Sequence, residues 1–279
     1  MKKTYRILSV FLLTMALTSC TSEKKAPEAE IKENQTSQND NKEAENKSEL
    51  ATKEEKTEIE NNSGDKTEKE DAKKEIEDLL KASSLLKSLR SQTKITIKNN
   101  DVEKSQVLEG EGEFDPKTGN ILNGKYQITN SDGTYQKAEF VGDADKTMKL
   151  EEKDASGNIT TNVENRVDYY VNPNYFDLVK IIDSMKDDLV LEDNGKSYKL
   201  TLDSKNIDLF GLFKEQFSLE FNNFTQNEAE KEFEIIIDKE TNLLQNLKLS
   251  FKFDDDTKGH VFLGIESEFN DYEFDKMWN

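Results

Sequence analysis

Apolar and polar residues alternate with a period of two along most of the chain after residue 92. This alternation is typical of β-strands that have one buried and one solvated face. It is strict in "NLKLSFKF" (246–253), and the other segments that carry it are "TKITIK" (93–98), "LEGEGEF" (108–114), "GKYQIT" (124–129), "TMKLEEK" (147–153), "YKLTLD" (198–203), "EFEIIID" (232–238) and "VFLGIESEF" (261–269). Turn signals such as "SDG" and "SGN" separate the segments. We therefore predict an antiparallel sheet of about nine to eleven strands.

Three segments instead space their apolar residues by three and four, which indicates amphipathic helices. The first is "DAKKEIEDLLKASSLLKSLRS" (71–91), with Leu86 and Leu89 at the end of its apolar stripe. The second is "NPNYFDLVKIIDSM" (172–185), where Asn172 can cap the helix and Pro173 suits its first position. The third is "NIDLFGLFKEQF" (206–217). The last two have broad apolar faces, so we expect both to pack against the dry face of the sheet.

These elements together predict the fold class. A sheet of about ten strands does not stay flat, because strand twist accumulates across it. We predict an α+β fold: a curled antiparallel sheet, or half-barrel, with an N-terminal helix and two helices packed in its concave face. Of the 8 Tyr, 15 Phe and 1 Trp, only Tyr5 and Phe11 precede residue 71, so residues 71–279 hold the aromatic side chains that such a core needs.

The N-terminus has the organisation of an export signal. Three basic residues precede an apolar run of about eleven residues, which is too short to cross a bilayer. The run ends in "LTSC", and Cys20 is the only cysteine of the chain. This arrangement resembles a bacterial lipobox, in which the cysteine thiol receives a diacylglycerol and the chain is cleaved just before it. The resemblance implies a signal peptide over 1–19 and a lipid-bearing Cys20 on the extracytoplasmic face of the cell membrane.

The segment after Cys20 has a different composition. Residues 21–70 contain no aromatic residue and mix Lys with a larger number of Asp and Glu. Such a segment cannot bury enough apolar surface to offset its ordering entropy, so we predict a disordered acidic tether over 20–70. Loss of residues 1–19 removes three basic residues and no acidic one, and the net charge of −19 becomes −22. This charge disfavours nucleic acid as a partner, because phosphate binding needs a basic surface.

One-face-dry strands, an N-terminal helix, two interposed apolar helices and a lipobox together resemble the LolA-like and LppX/LprG-like lipoproteins. The resemblance covers about residues 71–279 at the level of architecture. It implies an open half-barrel with an apolar cavity for acyl chains between sheet and helices. The residues expected to line that cavity are Tyr175, Phe176, Val179, Ile182, Phe210, Phe213 and Phe217. The alternative interpretation is a closed core with no cavity.

The sequence offers little for catalysis or metal binding. His260 is the only histidine, no G-x-S-x-G motif occurs, and Cys20 is assigned to lipid. The segment starting at Asp254 has Asp and Gly at EF-hand positions one, three and six, but Ile265 replaces the bidentate Glu. Glu109, Glu111 and Glu113 share one strand face, which we interpret as solvated. We expect no enzyme, no metal and no cofactor.

Two functional hypotheses lead after these exclusions, and a third, an enzyme, would need a carboxylate pair that the sequence does not single out. The first is a membrane-anchored protein that binds an apolar small molecule, lipid or acyl chain without chemistry. The second is a surface interaction protein, either an adhesin or an accessory subunit of an envelope complex, whose partner is another envelope protein. The broad apolar helix faces favour the first hypothesis, and the long tether favours the second.

Overall fold

The structure is a computed structural model that describes residues 4–6, 64–115, 117–142, 146–165, 168–204, 206–220, 228–255 and 259–274. The helices are α1 (Gly64–Ser83), α2 (Tyr175–Ser184) and α3 (Leu209–Phe217), and a 3-10 turn spans Lys186–Asp188. The strands are β1 (Thr4–Arg6), β2 (Leu86–Asn99), β3 (Val102–Phe114), β4 (Ile121–Asn130), β5 (Tyr135–Val141), β6 (Thr147–Lys153), β7 (Ile159–Asn165), β8 (Asp168–Tyr170), β9 (Leu189–Asp193), β10 (Ser197–Leu202), β11 (Glu230–Asp238), β12 (Leu244–Asp255) and β13 (Gly259–Phe274).

Eleven of these strands form one open antiparallel sheet. Their order is β7-β6-β5-β4-β3-β2-β13-β12-β11-β10-β9. Neighbours in this order are also consecutive in the chain, except where β13 pairs with β2 and so joins the two halves of the domain. β8 touches β4 through Ile121 and Tyr169, and β1 lies parallel to β8. The predicted α+β class with one broad antiparallel sheet is thus confirmed.

The alternation seen in the sequence corresponds to two distinct faces of the sheet. One row of paired residues crosses its centre from Leu247 through Ser267, Thr93 and Leu108 to Ile128. All five are buried, and we call their side of the sheet the inner face. The two hydroxyls in the row, on Thr93 and Ser267, hydrogen-bond each other at 2.9 Å, which satisfies both inside the core. The opposite side, the outer face, carries the intervening charged and polar residues.

The first helix differs from its prediction at both ends. It begins at Gly64, seven residues before the predicted start, and it ends at Ser83 rather than near residue 91. Leu86 and Leu89 belong to β2, so their helical assignment was wrong. The physical reason is that residues 86–91 pair with β13 and, from Ser88 onward, with β3 as well. A register irregularity in β13 opposite this stretch keeps both leucines buried, although they are three residues apart.

The cap of the second helix also differs from its prediction. Asn174 is the N-cap, and its Oδ1 accepts from the backbone N–H groups of Phe176 (3.1 Å) and Asp177 (3.4 Å). Asn172 and Pro173 therefore lie before the helix, and the assignment of Asn172 as the cap was wrong. The third helix begins at Leu209, three residues after the start of the predicted segment, and the Oδ1 atom of its N-cap Asp208 accepts from the N–H of Gly211 at 2.7 Å.

The N-terminal predictions fall mostly beyond the described residues. The chain divides into two compact units. All described residues, including β1, belong to the first unit, and the second unit, Met15–Asn62, contains no described residue. Cys20 and residues 21–63 of the predicted tether lie outside the described residues, and residues 64–70, which were predicted as tether, belong to α1. β1 lies in the segment that the predicted cleavage would remove. Among the helices described, none is both long and apolar enough to cross a membrane.

Candidate functional site

The seven predicted ligand-binding residues all lie where α2 and α3 meet the inner face of the sheet. Six are buried, and Phe210 is half-buried. Ring pairs join the helices to the strands with centroid separations from 5.2 to 6.2 Å: Phe176–Phe114, Tyr175–Phe269, Phe210–Phe251 and Phe213–Phe233. The helices are therefore held to β3, β11, β12 and β13 by edge-on and tilted aromatic contacts.

Tyr175 is the most connected of the seven. Its hydroxyl accepts a hydrogen bond from the backbone N–H of Leu244 at 3.2 Å and lies 3.4 Å from the Ser83 hydroxyl. Burial raises the pKa of Tyr175 to about 12. The other backbone group of Leu244, its carbonyl, accepts a hydrogen bond from the Tyr272 hydroxyl at 2.6 Å. These contacts fasten the start of α2 to the end of α1 and to β12.

A buried polar cluster connects α2 to α3 and to the turn after β3. Asn174 donates through Nδ2 to the Gly119 carbonyl at 3.0 Å, and its backbone N–H donates to Gln216 Oε1 at 2.8 Å. Asn172 donates through Nδ2 to the Glu215 carbonyl at 3.2 Å, while its Oδ1 is buried with no partner. Gln216 Nε2 also donates to Asp177 at 3.3 Å. These hydrogen bonds link the two helices inside the core, where losing a partner would be costly.

The inner face continues beyond these helix contacts onto β4, β5 and β6. Its apolar side chains there are Tyr126, Ile128, Ala138, Phe140, Met148 and Leu150, of which all but Leu150 are buried. Tyr126 and Phe140 form an edge-to-face pair with centroids 6.2 Å apart. The missing side chain of Gly110 makes room for the Tyr126 ring, because a Cβ at that position would lie 2.4 Å from Tyr126 Cδ1.

A cavity of about 690 Å³ opens on the inner side of this second apolar region. Four of its lining residues form one paired row across β4 to β7: Ile128, Gln136, Glu152 and Thr160. The remaining wall comes from strand ends and turns at the same end of the sheet and carries charges of both signs, among them Lys104, Asp132, Lys153 and Asp154. None of the seven predicted residues lines this cavity.

Sequence reasoning did not select these residues of β4 to β6, although part of the signal was present. Tyr126 with Ile128 and Met148 with Leu150 were identified as faces of strands. The local sequence does not indicate that those faces lie side by side in the sheet. The apolar stripe of a helix, by contrast, can be recognised within a single segment. The cavity needs the pairing of four strands, which only the register of the sheet defines.

The outer face carries a separate groove of about 800 Å³ over β2 to β6. Its walls are mostly charged, with Arg90, Glu109, Glu111, Lys125, Lys137 and Glu151 among the lining residues. Glu111 is paired with Arg90 at 3.1 Å and with Lys125 at 3.3 Å, and these hydrogen bonds lower the pKa of its carboxyl. Hydrogen bonds from Asn123 and Lys87 likewise lower the pKa of Glu113. A general acid needs the opposite shift, so these two carboxylates are poor candidates for proton transfer.

His260 lies at the exposed start of β13. Its Nδ1 is 2.9 Å from Asp254 Oδ1, and Lys252 holds the other carboxylate oxygen at 2.6 Å. The hydrogen bonds from Lys252 and His260 lower the pKa of Asp254. Within the described part of the chain, no three His, Cys, Asp or Glu side chains are arranged to hold a metal ion. This corner has the character of a surface ion-pair cluster.

Known proteins resemble this chain only in the path of the backbone, and not in sequence. No family model matches the chain, and no curated protein matches its sequence. Among solved structures, LprF from Mycobacterium bovis is 12% identical with a TM-score of 0.34, covering 73% of this chain and 93% of LprF. A domain described as an outer membrane lipoprotein-sorting protein, from Vibrio parahaemolyticus, is 10% identical with a TM-score of 0.22, covering 75% of this chain and 95% of its own.

MucB, solved in complex with the periplasmic part of MucA, is a third similar structure. It is 10% identical with a TM-score of 0.28, and the match covers 71% of this chain but only 56% of MucB. At these identities and scores no ligand or partner carries over to this chain. With TM-scores below 0.5, these likenesses of chain trace carry no conclusion about this chain.

Proposed function

We propose that this chain is a lipid-anchored extracytoplasmic protein that binds an acyl chain or a similar apolar ligand without catalysing a reaction. The observation that carries the proposal is the apolar inner face, which is covered by helices on one side and continues on β4 to β6 to an open cavity beside Ile128. Cavities of this size hold small ligands in proteins, and here Ile128, Tyr135 and Ala155 supply the apolar part of a wall whose other residues are polar or charged.

The proposal includes a sheet that curls around the helices. Tyr175 and Phe176 are adjacent at the start of α2, yet Tyr175 bonds to β12 and Phe176 contacts Phe114 on β3. Three strand spacings separate β12 from β3, about 14 Å in a flat sheet. Contacts from two adjacent residues to strands so far apart favour a sheet that bends toward the helix.

We place the ligand with its chain over β4 to β6 and its head at the cavity mouth. Ile128 and Tyr135, which line the cavity, would contact the chain, and the ligand would stay apart from the predicted residues of α2 and α3, since none of them lines the cavity. The mixed charges of Lys153 and Asp154 at the mouth suit a polar head that stays hydrated. A hydrocarbon chain gains about 0.8 kcal/mol for each buried methylene, which is sufficient for binding without a specific head contact.

Native mass spectrometry of residues 20–279 tests the proposal, with Cys20→Ser to prevent lipidation and with no detergent at any step. We expect co-purified lipid, or uptake of an added fatty acid, with a ligand mass that organic extraction recovers. Gln136→Trp should reduce occupancy at least fivefold, because an indole at that inner position fills the cavity. Lys137→Trp places the same ring on the outer face and should leave occupancy unchanged.

Two results would overturn the binding proposal. One is a protein that stays free of ligand after incubation with fatty acids and phospholipid vesicles. The other is equal occupancy in the Gln136→Trp and Lys137→Trp variants, which would put the ligand elsewhere. A thermal melt of each variant confirms that folding is retained, since both positions are on the same strand and neither side chain is fully buried.

One observation favours the second candidate function, association with another protein. β7 ends the sheet and is exposed along most of its length. Unpaired strand edges recruit further strands, so this edge is the part of the described surface best suited to a protein partner.

A further inference from the structure

β7 lies at one end of the sheet with exposed apolar side chains. Ile159 and Val163 are 59% and 62% exposed, and no second described strand pairs with β7. Its sequence "ITTNVEN" contains no Lys and no Pro, the residues that commonly protect strand edges, and carries a single charge, on Glu164. This is unusual in a chain of which 35% is charged.

The β6–β7 turn shows which backbone groups of β7 face outward. The Asp154 N–H donates to the Asn158 carbonyl at 3.0 Å, so this pair is hydrogen-bonded across the hairpin. Hydrogen-bonded and non-hydrogen-bonded pairs alternate along an antiparallel ladder. Ile159, Thr161 and Val163 therefore turn their N–H and C=O groups away from β6 and toward the free edge.

We propose that β7 pairs antiparallel with β7 of a second copy of this chain, on a two-fold axis through Thr161. In that register Ile159 lies opposite the partner's Val163 on the outer face, and the reverse pair forms symmetrically. Three outward donors and three outward acceptors on each copy are matched, giving about six hydrogen bonds. A shift of the axis by one residue to 162 places Ile159 opposite Asn165 and loses both apolar pairs.

The charges around this register are compatible with a pair of acidic chains. Glu164 would face the amide of Asn158 rather than a like charge. Glu151, on the neighbouring strand, would lie three strand spacings from its counterpart, about 14 Å, beyond the ~8 Å screening length of physiological salt. Each Glu151 also has a local cation, Lys137, at 3.6 Å. Neither Glu164 nor Glu151 is therefore brought within the screening length of its own counterpart in this register.

Sedimentation velocity at micromolar concentrations tests the pairing with residues 20–279 carrying Cys20→Ser, whether or not a lipid is bound. We expect a monomer–dimer equilibrium. Val163→Lys should raise the dissociation constant at least tenfold. Val102→Lys is the matched control, because Val102 is 55% exposed at the start of β3, an interior strand, and it should leave the equilibrium unchanged.

A cysteine cross-link reads the register directly, since Cys20→Ser leaves no other thiol in the chain. Thr161→Cys brings two Cα atoms to about 5.5 Å, within disulfide range, whereas Thr160→Cys places them about 8 Å apart on the inner face. We expect rapid oxidation to a covalent dimer for Thr161→Cys only. A monomer at all concentrations, dimers of Val163→Lys as stable as those of the wild type, or equal cross-linking of both cysteines would overturn the proposal.

Discussion

At the scale of single residues, the hydroxyl of Tyr175 joins three elements. It accepts from the N–H of Leu244 on β12 and contacts Ser83 at the end of α1, while its own backbone begins α2. A buried hydroxyl with partners on separate elements is costly to remove, because those partners are left without an acceptor. The ring packs among other aromatic rings, so the replacement of Tyr175 by Phe keeps this packing and removes only the hydroxyl.

Tyr175→Phe is expected to lower the free energy of unfolding by about 1–3 kcal/mol, since the Leu244 N–H loses an acceptor inside the core. Urea denaturation followed by circular dichroism measures the change. Tyr135→Phe is the control, because the Tyr135 hydroxyl bonds only to the surface carboxylate Glu151. Equal stability of the two variants would contradict the role assigned to Tyr175.

The raised pKa of Tyr175 predicts a loss of stability in alkali. Its folded-state pKa of about 12 exceeds the usual value near 10, so stability is complete below pH 10 and declines as the pH rises toward 12. Two pH units correspond to about 2–3 kcal/mol. Comparing wild type and Tyr175→Phe by urea denaturation from pH 9 to 12 tests this. The wild type should lose more stability over that range, and parallel curves would refute the prediction.

At the scale of elements, α2 depends on tertiary contacts as well as on its own cap. Asn174 caps the helix through Oδ1, bonds to the turn after β3 through Nδ2 and bonds to α3 through its backbone N–H. Asp208 caps α3 from an exposed position with a bond inside its own helix. The two caps therefore differ in what they hold together, although both follow the same capping chemistry.

Asn174→Ala is expected to destabilise the protein by about 2–3 kcal/mol, because it removes the cap bond and leaves the Gly119 carbonyl without its donor. Asp208→Ala should cost about 1 kcal/mol, the usual value for an exposed cap. Chemical denaturation of both variants makes the comparison. A cost for Asp208→Ala equal to or above that for Asn174→Ala would show that the buried bonds of Asn174 contribute little.

The segment 84–91 illustrates a local signal that the tertiary structure overrides. Its leucines continue the helical spacing of α1, and a helix through residue 91 is the simplest local interpretation. In the fold this stretch is flanked by β3 on one side and β13 on the other, and both need a partner. Ladder hydrogen bonds to two strands outweigh the weak preference of a few residues for helix.

At the scale of the whole molecule, the anchor and the domain are separate parts of the proposal. Cys20→Ser should move nearly all of the protein from the membrane fraction to the soluble fraction of cells, because the acyl chains supply the membrane affinity. The acidic chain offers no electrostatic attraction to anionic lipids in their place. Metabolic labelling with a fatty acid provides a direct readout, and label on Cys20→Ser or retention of that variant at the membrane would contradict the assignment.

The sequence by itself determined eight strands of the sheet and their faces, whereas β5, β7 and β9 were not identified as strands. Side-chain direction repeats every two residues in a strand, so alternation in "NLKLSFKF" specifies both the element and its buried side from local information. The positions of α2 and α3 followed in the same way from apolar spacing. The resemblance to a lipobox is equally local, since it depends on the order of residues around Cys20.

Only the tertiary structure decided which strands are neighbours. The pairing of β2 with β13 joins residues about 170 positions apart, and neither segment contains a local signal that identifies the other as its partner. The edge position of β7, the cavity beside Ile128 and the limit of α1 at Ser83 all follow from that order. The physical reason is that strand hydrogen bonds are made to other segments, whereas helix hydrogen bonds are made within one segment.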